Sequence, residues 1–254
     1  MRVSRIYVDQ PLASGTLLSL PREAAHYVTR VLRLAPGAPL VLFNGDGCEF
    51  DARVETISGA RVTVRTREGC ALARESPLVT RLGLGVSRGG KRMDFALQKA
   101  VELGVSSVTP LCTEHGVVRL DEGRAERRAT HWRGVVADAC EQCGRNRLPA
   151  LEPLAPLSQW VLGHPDVELK LLFAPQGHET LAEQAPPRGS VVLLVGPEGG
   201  LSPGETEAAR RAGFRPVALG PRILRTETAA VAALTAIQLL WGDLGSGAAP
   251  GEAP

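Results

Sequence analysis

The chain has 254 residues, of which 44% are hydrophobic and 22% charged, and its formal net charge at pH 7 is +2. This composition is typical of a soluble globular protein, and the length suffices for one large domain or two modest ones. No apolar run approaches the roughly 20 residues of a membrane-spanning helix, and the amino-terminal stretch lacks the apolar core of a signal peptide. We therefore expect a cytoplasmic protein that does not enter a membrane.

Arginine supplies 26 of the 29 positive side chains, and residues 1–74 hold ten of them against seven acidic residues. Two explanations stay open: the planar guanidinium suits phosphate and base recognition, and a compositional bias of the genome gives the same excess. The five cysteines have no framework spacing, which fits a reducing compartment. There is one CxxC pair, Cys140 and Cys143, and the five histidines show no ligand spacing, so we expect no metal site.

The first 70 residues predict a small β-rich unit. Asn44–Gly47 has hairpin-turn chemistry, and Pro21–Leu34 predicts a short helix that ends before Pro36 and Gly37. Several short strands with regular turns are typical of a small barrel. The expected strands, where apolar residues recur or alternate with polar ones, are 2–8, 40–43, 50–55 and a segment around Val62 and Val64.

Beyond a boundary at residues 71–77 the pattern changes to alternating strands and helices, which predicts the α/β class with a mostly parallel sheet. The strand that begins at residue 105 is expected to stop before Pro110. The tail at 243–254 is rich in Gly, Ala and Pro, and we expect it to be disordered. The expected strands are 82–86, 105–109, 169–173, 191–195 and 215–219, and the expected helices are 92–103, 121–143, 203–212 and 226–241.

The most informative segment is a glycine-rich loop, Gly196–Gly200, between the apolar strand Val191–Val195 and a helix start. Ser202, Pro203 and Glu205 have the positions of an N-cap, a first-turn proline and the acid of a capping box. The loop matches neither a dinucleotide-binding GxGxxG nor a P-loop. A tight turn is one explanation, but ligands bind at such strand ends in α/β folds, so we expect a ligand-binding loop.

Two further loops have the same position at the end of a strand. Leu219–Thr228 places the apolar Ile223 and Leu224 between Arg222 and Arg225, which indicates an adenine-like surface beside an anionic partner. Phe173–Gln176 is the third such loop. For the Leu219–Thr228 loop, an ordinary strand-to-helix connection is the alternative.

Together these segments resemble the RsmE family of SPOUT methyltransferases, which use S-adenosylmethionine to methylate N3 of a uridine in 16S ribosomal RNA of the small subunit. The resemblance covers nearly the whole chain apart from the tail. It rests on the loops and on three further segments, Val31–Leu34, Gln98–Val105 and Glu141–Arg145. Each segment alone is a weak signal, whereas the combination is specific.

The resemblance implies a SPOUT methyltransferase domain at 74–242, whose mostly parallel α/β sheet is tied in a trefoil knot, after a PUA-like RNA-binding β-barrel at 1–73. It also implies a homodimer that binds S-adenosylmethionine with the three loops. The residues expected to bind this cofactor are Phe173, Ala174, Pro175, Gly196, Pro197, Glu198, Gly199, Gly200, Leu201, Leu219, Gly220, Ile223, Leu224 and Arg225.

The implied reaction requires N3 of uracil to lose its proton while negative charge develops on the flanking carbonyl oxygens. Arg222, Arg225 and Arg145 are the candidates for stabilising that charge. Glu198 is the candidate catalytic carboxylate, with Glu141 and Glu227 as alternatives, although an acid in a first helical turn such as Glu227 also favours the helix dipole. We expect no single strong base and expect oxyanion stabilisation to supply most of the rate.

RNA contacts are expected from basic residues that reach phosphates, with a solvated surface position as the alternative for each lone arginine. Two other functions stay open: a SPOUT enzyme that methylates a ribose 2′-hydroxyl or another RNA, and a non-catalytic RNA-binding ribosome assembly factor. The residues expected to contact RNA are Arg2, Arg5, Arg30, Arg33, Arg88, Lys91, Arg92, Gln142 and Arg145.

Overall fold

The computed structural model describes residues 3–87, 90–116, 122–177 and 179–245. They form two compact units: residues 3–75 with 137–148, and the remainder. Arg2, Arg88 and residues 246–254 of the predicted disordered tail lie outside the described residues, so those expectations stay predictions. Within the described ranges, no helix has the length and apolarity to cross a membrane.

The first unit is built on a five-stranded mixed sheet in which the strands pair in the order β1-β3-β4-β5-β2. The pair β1–β3 is parallel, and the other three pairs are antiparallel. Strand β2 was not predicted, because three residues are too few to show an alternation. The strands are β1 (Ser4–Tyr7), β2 (Leu17–Ser19), β3 (Pro39–Phe43), β4 (Cys48–Ser58) and β5 (Arg61–Ala71).

One helical segment packs against this sheet. Helix α1 (Arg22–His26) continues directly into a π-helical turn at Tyr27–Val31. The segment buries Ala24, Ala25 and Val28 in a core shared with apolar residues of the strands. The strands supply that core from alternate positions, as in β4, where every second residue from 50 to 54 is buried and the residues between are exposed.

The second unit is an α/β domain with an entirely parallel sheet. The strand order is β12-β10-β11-β6-β7, and β8 and β9 pair in turn with the outer side of β7. Three elements of four residues or fewer, β8, β9 and α4, were not predicted. The strands are β6 (Val79–Gly85), β7 (Ser107–Cys112), β8 (Ala150–Leu151), β9 (Ala155–Pro156), β10 (Leu169–Phe173), β11 (Ser190–Val195) and β12 (Arg215–Val217); the helices are α2 (Gly90–Glu102), α3 (Glu122–Cys143), α4 (Leu157–Trp160), α5 (Pro203–Arg211) and α6 (Thr226–Trp241).

Helices cover both faces of this sheet. In β11, Leu193 packs in a core cluster with residues of α2, α3 and α6, whereas its neighbours Val192 and Leu194 pack in a second cluster with residues of α4 and α5. Burial on both faces explains why this strand is a continuous apolar run and shows no alternation.

The predicted end of a strand before Pro110 is wrong, because β7 continues through Pro110 to Cys112. Pro110 lies opposite Leu84 of β6. On the other side of β7, the pairing with β8 ends at Val108 and the pairing with β9 begins at Leu111. Pro110 therefore faces the gap between β8 and β9. Its lack of a backbone N–H leaves no described strand without a hydrogen-bond donor.

Helix α3 contributes to both units, since its residues from 137 onward belong to the first. In that unit the Arg5 guanidinium donates to Oδ1 of Asn146 at 2.6 Å and to the carbonyl of Arg145 at 3.2 Å. Arg74 donates to the carbonyl of Gly144 at 2.6 Å. The segment 137–148 is thus anchored to the amino-terminal part of the chain by charged side chains. Composition and hydropathy did not indicate that the chain comes back to its first unit here.

Candidate functional site

Three neighbouring parallel strands of the second unit, β12, β10 and β11, end at the same edge of the sheet, and each continues into one of the three predicted ligand loops. The loops border one cavity of about 310 Å³. This size lies at the lower end of the range of pockets that hold small ligands and cofactors, about 300–1,000 Å³. The parallel register thus brings together segments that are far apart in the sequence.

Thirteen of the fourteen residues predicted to bind the cofactor line this cavity, and the exception is Arg225. Arg222, predicted as catalytic, also lines it. Lining residues that belong to strands and helices were not predicted, because the sequence patterns of these elements indicate only packing. These are Leu172, Val195, Thr206, Arg210, Pro216, Thr226 and Ala229.

The glycine-rich loop lies directly against the end of β6. A Cβ atom at Gly85 would stand 2.5 Å from the backbone nitrogen of Pro197 and 2.9 Å from the carbonyl carbon of Gly196. Gly200 has a φ of +69°, which L side chains rarely adopt, and its N–H donates to the carbonyl of Pro197 at 2.8 Å. The loop is therefore a tight turn as well as a cavity wall, and its predicted role in ligand binding stays a prediction.

The predicted capping box at the start of α5 is confirmed. The Ser202 hydroxyl accepts the Glu205 N–H at 3.1 Å, and the Glu205 carboxylate accepts the Ser202 N–H at 2.9 Å. The other oxygen of the Glu205 carboxylate accepts the backbone N–H of Glu114 at 2.9 Å. This buried carboxylate thus ties the glycine-rich loop to the segment after β7.

We expect the substitution Glu205→Ala to lower the free energy of unfolding by about 2–3 kcal/mol, because it leaves two backbone N–H groups without their acceptor. Glu205→Gln, which keeps one acceptor oxygen, should lose less. Urea denaturation measures both, with Glu207→Ala on the exposed side of the same helix as the control. Equal losses in Glu205→Ala and Glu207→Ala would contradict this assignment.

The loop after β10 packs on the backbone of β12. The N–H of Ala174 donates to the carbonyl of Val217 at 3.2 Å. A Cβ at Gly177 would stand 2.5 Å from the backbone nitrogen of Ala218. Gly177 therefore allows the loop that follows β10 to lie against the start of the loop that follows β12.

Glu198, the candidate catalytic carboxylate, forms an ion pair with Arg92 of α2, one of the residues predicted to contact RNA. Arg222 and Arg225 are exposed, and their side chains make no ion pair within the described part of the chain. The structure thus separates two kinds of candidate: a carboxylate engaged by a cation, and two arginines available for an anionic partner.

The predicted RNA-contacting residues differ in exposure. Arg30, Arg33, Lys91 and Gln142 are exposed. Arg5 is largely buried in the first unit, where it pairs with Glu49 and stacks over the ring of Phe43 at 4.8 Å. Four of these predicted residues therefore present side chains to solvent, whereas Arg5 is held inside its unit.

Arg145, predicted both as catalytic and as an RNA contact, is only 5% exposed. Its guanidinium pairs with the Glu75 carboxylate, with Nε 3.1 Å from Oε2. Within the first unit this ion pair fixes the segment after α3 to residue 75, and an anchoring role explains the burial of Arg145. Its predicted role in catalysis stays a prediction.

Glu141 also lies in the first unit, where its Oε1 accepts the backbone N–H of Tyr7 at 2.8 Å. Burial, and to a lesser degree the neighbouring Asp138, raises the pKa of Glu141 to about 7, against the opposing effects of the Tyr7 N–H and Arg5. In the unfolded chain the same carboxyl ionises near its ordinary pKa of 4.5. Its contribution to stability is therefore complete below pH 4.5 and is lost as the pH rises through 7.

We expect Glu141→Gln to remove this loss, because the amide keeps an acceptor oxygen for the Tyr7 N–H and does not ionise. At pH 8 the variant should melt about 2–4 °C above the parent, equivalent to roughly 1 kcal/mol after allowance for partial solvent screening. At pH 4 the two melting temperatures should agree. Parallel pH profiles of thermal unfolding would refute the assignment.

Among the described residues, no group of three or more His, Cys, Asp or Glu side chains is placed to hold a metal ion. Oε2 of Glu227, the other alternative base, is buried and has no hydrogen-bond partner within the same ranges. Cys140 is buried, and burial raises its pKa to about 12, so its thiol is unsuited to nucleophilic chemistry.

Comparison with known proteins identifies the chain over nearly its whole length. A family model described as the RNA methyltransferase domain matches residues 74–238, and one described as the RNA methyltransferase PUA domain matches residues 20–66. The ribosomal RNA small subunit methyltransferase E of Buchnera aphidicola is 36% identical over 243 residues, which are 96% of this chain and 98% of that protein. The Bacillus subtilis protein of the same name is 30% identical over 92% of this chain and 96% of its own length.

Two solved structures are similar in fold and sequence. The ribosomal RNA small subunit methyltransferase E from Neisseria gonorrhoeae, bound to S-adenosyl methionine, has a TM-score of 0.89 and 37% identity, and covers 96% of this chain and 100% of that chain. A Legionella pneumophila protein in complex with the bound cofactor SAM has a TM-score of 0.92 and 41% identity at the same coverage. These matches confirm the predicted α/β methyltransferase fold with an amino-terminal PUA domain. The chain therefore belongs to the RNA methyltransferase family that includes the ribosomal RNA small subunit methyltransferases E.

Proposed function

We propose that this protein transfers the methyl group of S-adenosylmethionine to N3 of a uridine in 16S ribosomal RNA of the small subunit. The observation that carries the proposal is the single cavity bordered by the three strand-end loops. The full-length similarity to small subunit methyltransferases E and the cofactor in the two similar structures support it.

The lining of the cavity fits S-adenosylmethionine chemically. Leu201, Leu219 and Leu224 offer apolar surface for the faces of an adenine. Four glycines of two of the loops, Gly196, Gly199, Gly200 and Gly220, let backbone groups approach the ligand closely. Thr206 and Arg210 of α5 supply polar groups for ribose hydroxyls and a carboxylate. When bound, the cofactor supplies a methyl group on a sulfonium, which is already activated for in-line transfer.

The protein must hold the uracil so that N3 is in line with that methyl group, and it must stabilise the charge that appears on the flanking carbonyl oxygens. Arg222 borders the cavity, and Arg225 lies directly before the first residue of α6. Neither side chain has a carboxylate partner among the described residues. Guanidinium groups aimed at developing oxyanions lower the barrier, and positioning supplies much of the remaining rate.

Glu198 has a different role in this proposal. Its carboxylate pairs with Arg92, so it fixes the glycine-rich loop to α2 and does not serve as a strong base. The N3 proton passes to a water molecule, and the arginines stabilise the negative charge that remains on the uracil oxygens. This assignment keeps Arg222 and Arg225, and not Glu198, as the residues that determine the chemical step.

We also propose the arrangement of the RsmE family for the whole molecule: an RNA-binding domain at 1–73, a knotted methyltransferase domain at 74–242, and a homodimer in the cytoplasm. The family matches at 20–66 and 74–238 support this division. Ile223 is 84% exposed, and Leu239 and Leu240 of α6 are 58% and 49% exposed, which is apolar surface that a second copy would cover.

The test uses small ribosomal subunits purified from cells that lack the protein. Incubation with the purified protein and S-adenosylmethionine, followed by nucleoside mass spectrometry, should give 3-methyluridine from 16S RNA. A 2′-O-methylated nucleoside would show that the enzyme methylates a different position. RNA binding without calorimetric binding of S-adenosylmethionine would show an assembly factor and overturn the proposal.

A further inference from the structure

The π-helical turn of the first unit presents an unusual surface, which we call the π-turn face and define by Tyr27, Arg30, Val31 and Arg33. Tyr27 is 36% exposed and Val31 59% exposed, and both arginines are exposed. Neither arginine forms an ion pair with any described residue. An aromatic ring and an aliphatic side chain are therefore flanked by two cations without carboxylate partners.

The backbone at the end of this turn is strained. Arg33 has a φ of +53°, and it is the one non-glycine residue with positive φ in the described part of the chain, where eleven other positive-φ positions are all glycine. The bond from the Leu34 N–H to the Val28 carbonyl, 3.0 Å, closes the turn around it. Helix ends of this kind favour glycine at that position because a Cβ is disfavoured there. A side chain that persists in such a conformation points to a function of that side chain.

The surroundings of Tyr27 suit a neutral stacking group. Burial, and then the carboxyl groups of Glu141 and Asp138, raises the pKa of the Tyr27 phenol, so it stays protonated at physiological pH. The helical segment itself contains one acidic residue, Glu23, and two arginines, Arg22 and Arg30.

We propose that the π-turn face binds a single-stranded segment of the small-subunit RNA, with a base stacked on Tyr27 and phosphates held by Arg30 and Arg33. Stacking on an aromatic ring next to cations is the chemistry by which proteins hold unpaired nucleotides. In this proposal a phosphate contact by the exposed Arg33 side chain accounts for a non-glycine residue in the left-handed backbone conformation. This inference rests on the proposed function and assigns one of its RNA surfaces.

The decisive variant is Arg33→Gly, because it relieves the strain and removes the guanidinium together. We expect its melting temperature to equal that of the parent or to exceed it by about 1–3 °C. Its affinity for purified small subunits should fall roughly tenfold, and the slope of log affinity against log salt should decrease by about one. Tyr27→Ala should weaken RNA binding about tenfold, whereas Tyr27→Phe, which keeps the ring, should not.

The matched control is Arg61→Ala, which removes an equal charge from β5 of the same unit. Affinity for S-adenosylmethionine should stay unchanged in every variant, and parent protein that methylates small subunits establishes the proposed function separately. If Arg33→Gly melts lower than the parent, or binds RNA with the parent's affinity and salt dependence, the inference is wrong. A change of oligomeric state in Arg33→Gly would show that a second copy, and not RNA, covers this face.

Discussion

Gly85→Ala should abolish tight cofactor binding, although residue 85 is not among the residues that line the cavity. The added methyl group would lie 2.5 Å from the Pro197 nitrogen and 2.6 Å from its Cδ, so either the end of β6 or the glycine-rich loop must move. Overpacking of this kind costs about 1–3 kcal/mol or more. We expect the dissociation constant for S-adenosylmethionine, measured by calorimetry, to rise at least tenfold, since a displacement on the order of 1 Å misaligns the loop.

The control for this experiment is Gly134→Ala. Gly134 lies in the middle of α3, its φ is not positive, and a Cβ there meets no atom within 4 Å. The same chemical change should therefore raise the free energy of unfolding by about 0.5–1 kcal/mol through helix propensity and leave cofactor affinity unchanged. Normal cofactor affinity in Gly85→Ala would mean that the contact between β6 and the loop does not shape the cavity.

Arg225→Ala should slow the chemical step by about 10²–10³-fold in single-turnover assays on small subunits, the loss typical of removing one oxyanion-stabilising group. Because Arg225 does not line the cavity, affinity for S-adenosylmethionine should change little. The measurement is the rate of methyl transfer at saturating cofactor and excess enzyme, with the dissociation constant of the cofactor determined in parallel.

Two variants distinguish charge stabilisation by Arg225 from the alternatives. Arg211→Ala removes an exposed arginine of α5 that pairs loosely with Glu207, and it should keep the parental rate. Glu198→Gln tests the competing assignment of a general base. A loss of rate confined to Glu198→Gln, with Arg225→Ala unaffected, would transfer the main catalytic role to the carboxylate.

The sequence predicted those helices and strands whose local residue pattern is the one that their surroundings in the folded chain require. Helix α6 was expected at 226–241 and spans Thr226–Trp241, because its apolar residues continue over four turns up to Gly242; its N-cap is Arg225, and Thr226 is the first helical residue. The continuous run of β11 and the capping box of α5 are equally local signals. Since all three loops follow such strands, most of the cavity wall could be named in advance.

The elements that were missed depend on tertiary pairing. Strands β8 and β9 have two residues each and exist because β7 offers them hydrogen-bond partners. Gly85 had no local signal, since its importance comes from a backbone more than 100 residues away. The ion pair between Arg145 and Glu75 is equally non-local. The Glu141–Arg145 motif therefore indicated that Arg145 is important but not that it is buried.

The division of helix α3 between the two units has a consequence for biosynthesis. The first unit includes residues 137–148, so it cannot be completed when residue 75 leaves the ribosome. At about 5–20 residues per second, translation takes roughly 4–15 s more to supply the missing segment. During that interval Arg5, Arg74 and Glu75 lack their partners in residues 144–146, which have not yet been synthesised. We therefore expect limited proteolysis of stalled nascent chains to cut the amino-terminal strands until residue 148 has left the ribosome.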